Sequence, residues 1–225
     1  MIVAGPSRCG KTTFVGRLLA QAGCVMTRPP GKVVYYYSQW QPLLAEFVRR
    51  GLVQEAVPMV PTVADVRRRL RPEQEGMVIV DDFMKEANAD LGYMFTALSH
   101  HHRVSVVFLT QNLFSQHGPY RDMSLSATYI VCFKNPRDGS QMWHFARQFR
   151  PDRPSFVVEG FRAATRQPFS YVLFDFHPET ADYLRMRARV LPDDDGPLLV
   201  VGERKRRRRS RIDDDDDDDD YEEET

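Results

Sequence analysis

Apolar residues in this chain come in short unbroken runs separated by stretches of helical spacing. Residues 1–4, Val33–Tyr37, Met77–Asp81, Val104–Thr110 and Thr128–Phe133 are β-branched or aromatic runs with polar ends, and each predicts a strand. Between them, Phe14, Val15, Leu18 and Leu19 follow a helical period. So do the Arg-rich segment 63–70 with Thr62 as its cap, the segment 86–102, and 139–150, where Met142, Phe145, Ala146 and Phe149 share a face. A further run, Tyr171–Phe176, predicts another strand, and 180–190 predicts a closing helix. Strand and helix alternating in this way imply an α/β fold, with a mostly parallel central sheet, helices on both faces and ligands at the carboxyl ends of the strands. There is no internal repeat.

At 225 residues the chain suits one such domain and would be cramped as two. With 42% hydrophobic and 28% charged residues it reads as globular, and no stretch approaches the apolar length a membrane helix needs. The first residues run straight into strand and loop, so no secretory leader is expected. Cys9, Cys24 and Cys132 have neither paired nor metal-like spacing, which suits a reducing compartment. His100, His101 and His102 are consecutive and would point in three directions on a helix, against a metal site.

The balanced charge conceals a split. Residues 204–211 hold seven basic side chains and 213–224 hold eleven acidic ones; without them, the 31 of each sign become 24 basic and 20 acidic. Such blocks repel themselves and cannot bury a core. The expected organisation is a folded domain over 1–190 and a disordered charged tail over 191–225.

Residues 5–12, Gly-Pro-Ser-Arg-Cys-Gly-Lys-Thr, match the phosphate-binding pattern G-x-x-x-x-G-K-[ST] between a strand and a helix. Gly5 and Gly10 let backbone N–H groups turn inward around a phosphate, Lys11 reaches the β- and γ-phosphates, and the Thr12 hydroxyl can ligate Mg²⁺. The helix amino terminus adds its positive end to the same anion. Gly5, Pro6, Ser7, Arg8, Cys9, Gly10, Lys11, Thr12 and Thr13 are therefore the candidate ATP contacts.

The strand at 77–81 ends in Asp81-Asp82, the form of a Walker B segment. Asp81 is the candidate Mg²⁺ ligand beside Thr12, and Asp82 the acid that polarises an attacking water. The competing reading of Asp82 is a cap for the next helix. Gln111, at the tip of the strand 104–110, can bond both a γ-phosphate and the water, and otherwise begins a turn with Asn112. Hydrolysis also needs a cation against the transition state. Arg103 and Arg121, on either side of the Gln111 strand, are the candidates for an arginine supplied by a neighbouring subunit; either could equally be a surface residue.

Taken together, GPSRCGKT, VIVDDF, VFLTQNLF and FKNPRDGSQMWHFARQF resemble the genome-packaging ATPases of the HerA/FtsK superfamily, in particular those of adintoviruses and Polinton/Maverick elements, and more distantly the poxvirus and adenovirus packaging ATPases. The resemblance covers roughly residues 1–190. It implies a P-loop NTPase of the additional-strand type, with an extra strand between the Walker A and Walker B strands. It also implies a homo-oligomeric ring, taken as hexameric, that hydrolyses ATP with Mg²⁺ to drive double-stranded DNA into a preformed capsid. The same roles then fall on Lys11, Thr12, Asp81, Asp82 and Gln111, and a trans arginine near the sensor strand raises Arg103. Asn135–Asp138 matches a family hallmark placed after the fifth strand. Many such motors carry residues before the first strand, so an extension is expected to be missing here or supplied by another protein.

The implied partners are DNA gripped without regard to sequence and a capsid or portal protein, with no membrane; the implied location is the host nucleus or the virion. Pore contacts are sought among Arg67–Arg71, for which a solvated helix face is the rival reading, and among Arg147–Arg153. The run 204–211 fits a nuclear import signal or a DNA-binding arm. Two other functions compete. A small-molecule or nucleoside kinase would use the same loop, but Asp82 and Gln111 activate water that a kinase must exclude. An ATP-binding packaging scaffold would assemble without translocating.

Overall fold

The computed structural model describes residues 1–71, 73–83, 89–98, 103–113, 119–137 and 139–200. His100–His102, Asp138 and the charged runs 204–211 and 213–224 lie outside the described residues.

Nine strands form one sheet in the order β3-β2-β4-β5-β1-β6-β7-β8-β9. They are β1 (Ile2–Ala4), β2 (Lys32–Tyr37), β3 (Glu55–Val57), β4 (Gly76–Asp81), β5 (Val104–Thr110), β6 (Tyr129–Phe133), β7 (Tyr171–Asp175), β8 (Met186–Ala188) and β9 (Leu199–Val200). From β3 through β6 every pairing is parallel. From β6 to β9 the pairings turn antiparallel. The fold is α/β with a mostly parallel sheet, as the runs of apolar residues imply. β5 sits between β1 and β4, and the chain changes its direction of travel across the sheet at β1, where β5 and β6 flank it.

Helices cover both faces, which is why the central strands are near-continuous apolar runs, with polar residues mostly at their ends. On one face Val3, Tyr35, Ile79, Leu109 and Val131 pack under Phe14, Val15 and Leu18 of α1 (Lys11–Ala20) and Leu44 and Phe47 of α3 (Pro42–Arg49), with the short α2 (Ala22–Val25) between those helices. Gly16 permits the approach of α1 to α3: a Cβ there would lie 2.2 Å from the Phe47 ring. On the other face Val34, Tyr36, Val80, Phe108 and Ile130 pack under the remaining helices. These are α4 (Val63–Arg69), α5 (Ala89–Tyr93, continued as a π-helix through Met94–Leu98), α6 (Pro119–Ser126), α7 (Gly139–Phe149) and α8 (Pro154–Ala164). Thr62 caps α4 as predicted, its hydroxyl accepting from the Asp65 N–H at 3.2 Å. Of the predicted α7 face, Phe145 and Ala146 are buried and Met142 and Phe149 pack at the margin.

The closing helix expected over 180–190 is not formed. A 3-10 turn, Asp182–Leu184, leads into β8, which pairs with β7 through Arg187↔Leu173 and Met186↔Phe174. The physical reason is the alternation of Arg185, Arg187 and Arg189 with Met186, Ala188 and Val190: it buries Met186 and Ala188 on a sheet face, which a helical period would scatter. Residues 191–200, expected as the start of the tail, are also engaged. Leu191 is buried, Asp193 and Asp194 bond to Arg17 of α1, and β9 extends the sheet.

Candidate functional site

Four strand ends meet at the point where the chain reverses across the sheet. β1 delivers the loop 5–10, β4 delivers Asp81 and Asp82, β5 delivers Gln111 and β6 delivers the Asn135 segment. Gly5 is tied to the neighbouring strand by a bond from its N–H to the Thr110 carbonyl at 3.1 Å. No other residue fits there, because a Cβ would lie 2.7 Å from both the Cys9 sulfur and the Phe133 Cβ. The loop then passes through two left-handed residues, Arg8 (φ 62) and Gly10 (φ 105), before α1 begins. That geometry turns successive N–H groups toward one concavity. Lys11 bends back over the loop and donates to the carbonyls of Gly5 at 2.7 Å and Pro6 at 2.9 Å. Among the described residues no carboxylate pairs with it.

Asp81 is buried at 6% exposure and accepts from the Tyr35 hydroxyl at 2.7 Å and from Gln41 at 3.4 Å. The Thr12 side chain lies near the same phenol, so Tyr35 sits beside both residues expected to hold Mg²⁺. Burial pushes the Asp81 carboxyl above its ordinary value and the neighbouring Asp82 charge adds to that, against the Tyr35 bond and the Lys11 charge. Burial, then the Asp81 charge, likewise drives the Tyr35 phenol far up, so it stays a donor.

Asp82 is exposed and holds a left-handed backbone, φ 62. Its carboxylate accepts from the Gln111 amide at 3.2 Å, which joins the tips of two adjacent strands. The turn is closed by Thr110, whose hydroxyl accepts from the Asn112 N–H at 3.2 Å, and the Gln111 side chain is left facing Asp82.

Lys11, Thr12, Gln41, Asp81, Asp82 and Gln111 line one cavity of about 1030 Å³ together with Ser7, Arg8, Gly10, Thr13, Arg17, Gln39, Phe133, Phe169 and Tyr171. The two candidate trans arginines do not join it. Arg103 is exposed at the start of β5, the opposite end from Gln111, with its carbonyl accepting from the Gly76 N–H at 3.1 Å. Seven residues of strand separate the two ends, roughly 20 Å. Arg121 lies exposed on α6. The cations that line the cavity are Arg8, Lys11 and Arg17, and Arg17 is already paired with Asp193 and Asp194 at 2.6 and 2.8 Å. In the segment after β6, Asn135 accepts from the Arg137 N–H at 3.1 Å, a local turn.

Of the sought DNA contacts, Arg68 and Arg69 are drawn into ion pairs with Asp65, and Arg69 also with Glu55. Arg147 is exposed on α7, while Arg150 lies over the Phe156 ring at 5.7 Å.

Among the described residues, no group of three His, Cys, Asp or Glu side chains gathers to hold a metal by itself. The oxygen-only pair Thr12 and Asp81 fits an ion that takes most of its ligands from phosphate and water, the habit of Mg²⁺. Tyr35, Gln41, Arg17 and Phe169 went unrecognised in the sequence. Tyr35 sits in a Tyr-Tyr-Tyr run indistinguishable from core, and Phe169 in a short loop without a motif. No protein-family model matches the chain, and no curated protein matches it. No helix among the described residues is long and apolar enough to cross a membrane.

Proposed function

We propose that this chain is an ATP-hydrolysing, DNA-translocating motor of the genome-packaging type, built on a P-loop NTPase fold with an additional strand. The observation that carries the reading is the convergence, in one cavity, of the loop residues Ser7, Arg8, Gly10, Lys11 and Thr12, a buried Asp81 and an Asp82–Gln111 pair on neighbouring strand tips. The position of β5 between β1 and β4 supports the additional-strand assignment.

In this reading the loop N–H groups and Lys11 bind the β- and γ-phosphates, Lys11 exchanging its two carbonyl partners for phosphate oxygens. Thr12 and Asp81 hold Mg²⁺, which when bound neutralises charge on the β- and γ-phosphates. Asp82 takes a proton from the attacking water, and Gln111, already bonded to Asp82, orients that water against the γ-phosphate. Of the cavity's own cations, Arg17 is neutralised by two aspartates, while Arg8 and Lys11 belong to the phosphate loop; in this reading a further cation facing the leaving phosphate comes from a neighbouring subunit in a homo-oligomeric, hexameric ring. Arg103, remote from its own cavity, is the first choice, and Arg121 the second. Motion between subunits then moves double-stranded DNA, gripped through its backbone, into a capsid or portal, in the host nucleus or the assembling virion.

ATPase rate measured with Mg²⁺, with and without double-stranded DNA and across protein concentration, tests this. Stimulation by DNA and cooperative onset with concentration are expected; no turnover under any of these conditions rejects it. Asp82→Asn is expected to bind ATP but lose stimulated turnover. A scaffold that only binds ATP would package unchanged with that substitution.

A further inference from the structure

Part of the cavity wall is aromatic, and hydrolysis as proposed makes no use of it. Phe14, Phe133 and Tyr171 form a buried cluster, Phe14 edge-on to the Tyr171 ring at 4.8 Å and Phe133 tilted against it at 5.7 Å. Phe169 is different. It is 70% exposed, although large and apolar, and it is held at φ 62, a backbone that bulky residues adopt at a cost. It occupies the short loop between α8 and β7, and its ring comes within 3.6 Å of where a Cβ on Gly10 would stand. It contributes little to the core, yet it lies against the phosphate-binding loop.

Charge divides the same cavity. Lys11 has no carboxylate partner among the described residues, whereas Arg17 is neutralised by Asp193 and Asp194, and Tyr171 donates to Asp194 at 2.6 Å. An anionic group is therefore drawn to the loop, while Phe133, Phe169 and Tyr171 make another part of the lining aromatic, and Arg17, joined to Tyr171 through Asp194, is already compensated. A ligand with phosphates at one end and an aromatic ring system at the other matches both.

We infer that Phe169 is the stacking platform for the base of the bound nucleotide. The inference rests on reading this cavity as a nucleoside triphosphate site. Stacking uses the face of a base and not its hydrogen-bonding edge, so this contact favours purines over pyrimidines by stacking area and separates ATP from GTP only weakly.

The test is calorimetric titration of the full chain with Mg²⁺ and either ATP or inorganic triphosphate. Phe169→Ala is expected to weaken ATP binding roughly tenfold and leave triphosphate binding within about twofold. Phe169→Trp is expected to retain ATP binding and to gain an emission that ATP quenches and triphosphate does not. The thermal midpoint of each variant shows whether it is folded. Equal weakening of both ligands by Phe169→Ala, or of neither, overturns the inference. If the unaltered chain binds triphosphate as tightly as ATP, the base makes no contact; the inference then fails while the phosphate site stands. If it binds neither, the nucleotide reading itself fails, and this inference with it.

Discussion

Adjacent tyrosines on β2 send their hydroxyls to opposite faces of the sheet, and each ends on a buried aspartate. Tyr36 donates to Asp65 at 2.9 Å and Tyr35 to Asp81 at 2.7 Å, and the two carboxylates are 5% and 6% exposed. What differs is the cation. Asp65 also accepts from Arg68 and Arg69, in a network that runs on through Glu55 to Lys32. Asp81 has Tyr35 and Gln41, both uncharged. Burial works against ionisation at both sites. At Asp65 the bonds from Arg69 and Tyr36 and the two arginine charges outweigh it and hold the carboxyl below its ordinary value, while at Asp81 burial wins and the value rises. One aspartate has its charge balanced inside the fold. The other has no cation bonded to it in the fold, and in the proposed function Mg²⁺ supplies the compensation.

The sharpest way to test that contrast is to remove each charge in turn. Asp81→Asn is expected to lower DNA-stimulated turnover at least about a hundredfold, because in the proposed function the charge it removes would act on the metal and phosphates. Its urea midpoint should stay level or rise, since an uncompensated buried charge is gone. Asp65→Ala should do the reverse. Stripping Arg69 and Tyr36 of a shared partner is expected to cost about 3 kcal/mol in denaturant unfolding, with turnover per folded molecule within about twofold of the original. Equal loss of stability in both variants would break the comparison.

The two sites should also separate on a pH axis. The depressed value of Asp65 contributes stability that is present above its unfolded pKa, about 4, and is lost as pH falls through the lower folded value. Asp193, held at about 2 by its bond from Arg17, acts in the same direction, weakened because it is half-exposed. The raised value of Asp81 has the opposite sign: its contribution is present below about pH 4 and is lost as pH rises through the folded value. Urea midpoints measured from pH 2 to 7 should therefore lose part of their acid slope in Asp65→Asn, and part of their decline above pH 4 in Asp81→Asn. The smallest effect concerns the tyrosines. Tyr35→Phe and Tyr36→Phe are each expected to cost about 1 kcal/mol. Tyr35→Phe alone should also raise the Mg²⁺ concentration needed for half-maximal turnover, because the hydroxyl that bonds the Asp81 carboxylate at 2.7 Å is lost.

How much of this could be read from the sequence depended on whether a residue's role is set locally. The central strands β2, β4, β5 and β6 are burial-dictated runs, and Gly5, Gly10, Lys11, Asp81 and Gln111 sit at fixed offsets from them, so both strands and motifs were legible. β3 was not: three residues, Glu-Ala-Val, carry no periodicity and pair because β2 offers an edge. β8 did carry a period-two signal, hidden by a length that also suited a helix. Tyr35 and Tyr36 are indistinguishable in sequence, since their opposite roles come from residues 46 and 29 positions away. The contact of Phe169 with the loop likewise joins segments far apart in the chain.

The clasp of Asp193 and Asp194 on Arg17 has a mechanical corollary. Tension applied to the chain beyond Val200 first meets β9, a two-residue exposed ladder that peels readily, and then reaches bidentate carboxylate–guanidinium bonds anchored on the helix that follows the phosphate loop. A pull on that side of the domain is thereby delivered to α1, the helix that begins at the end of the loop 5–10, through one arginine.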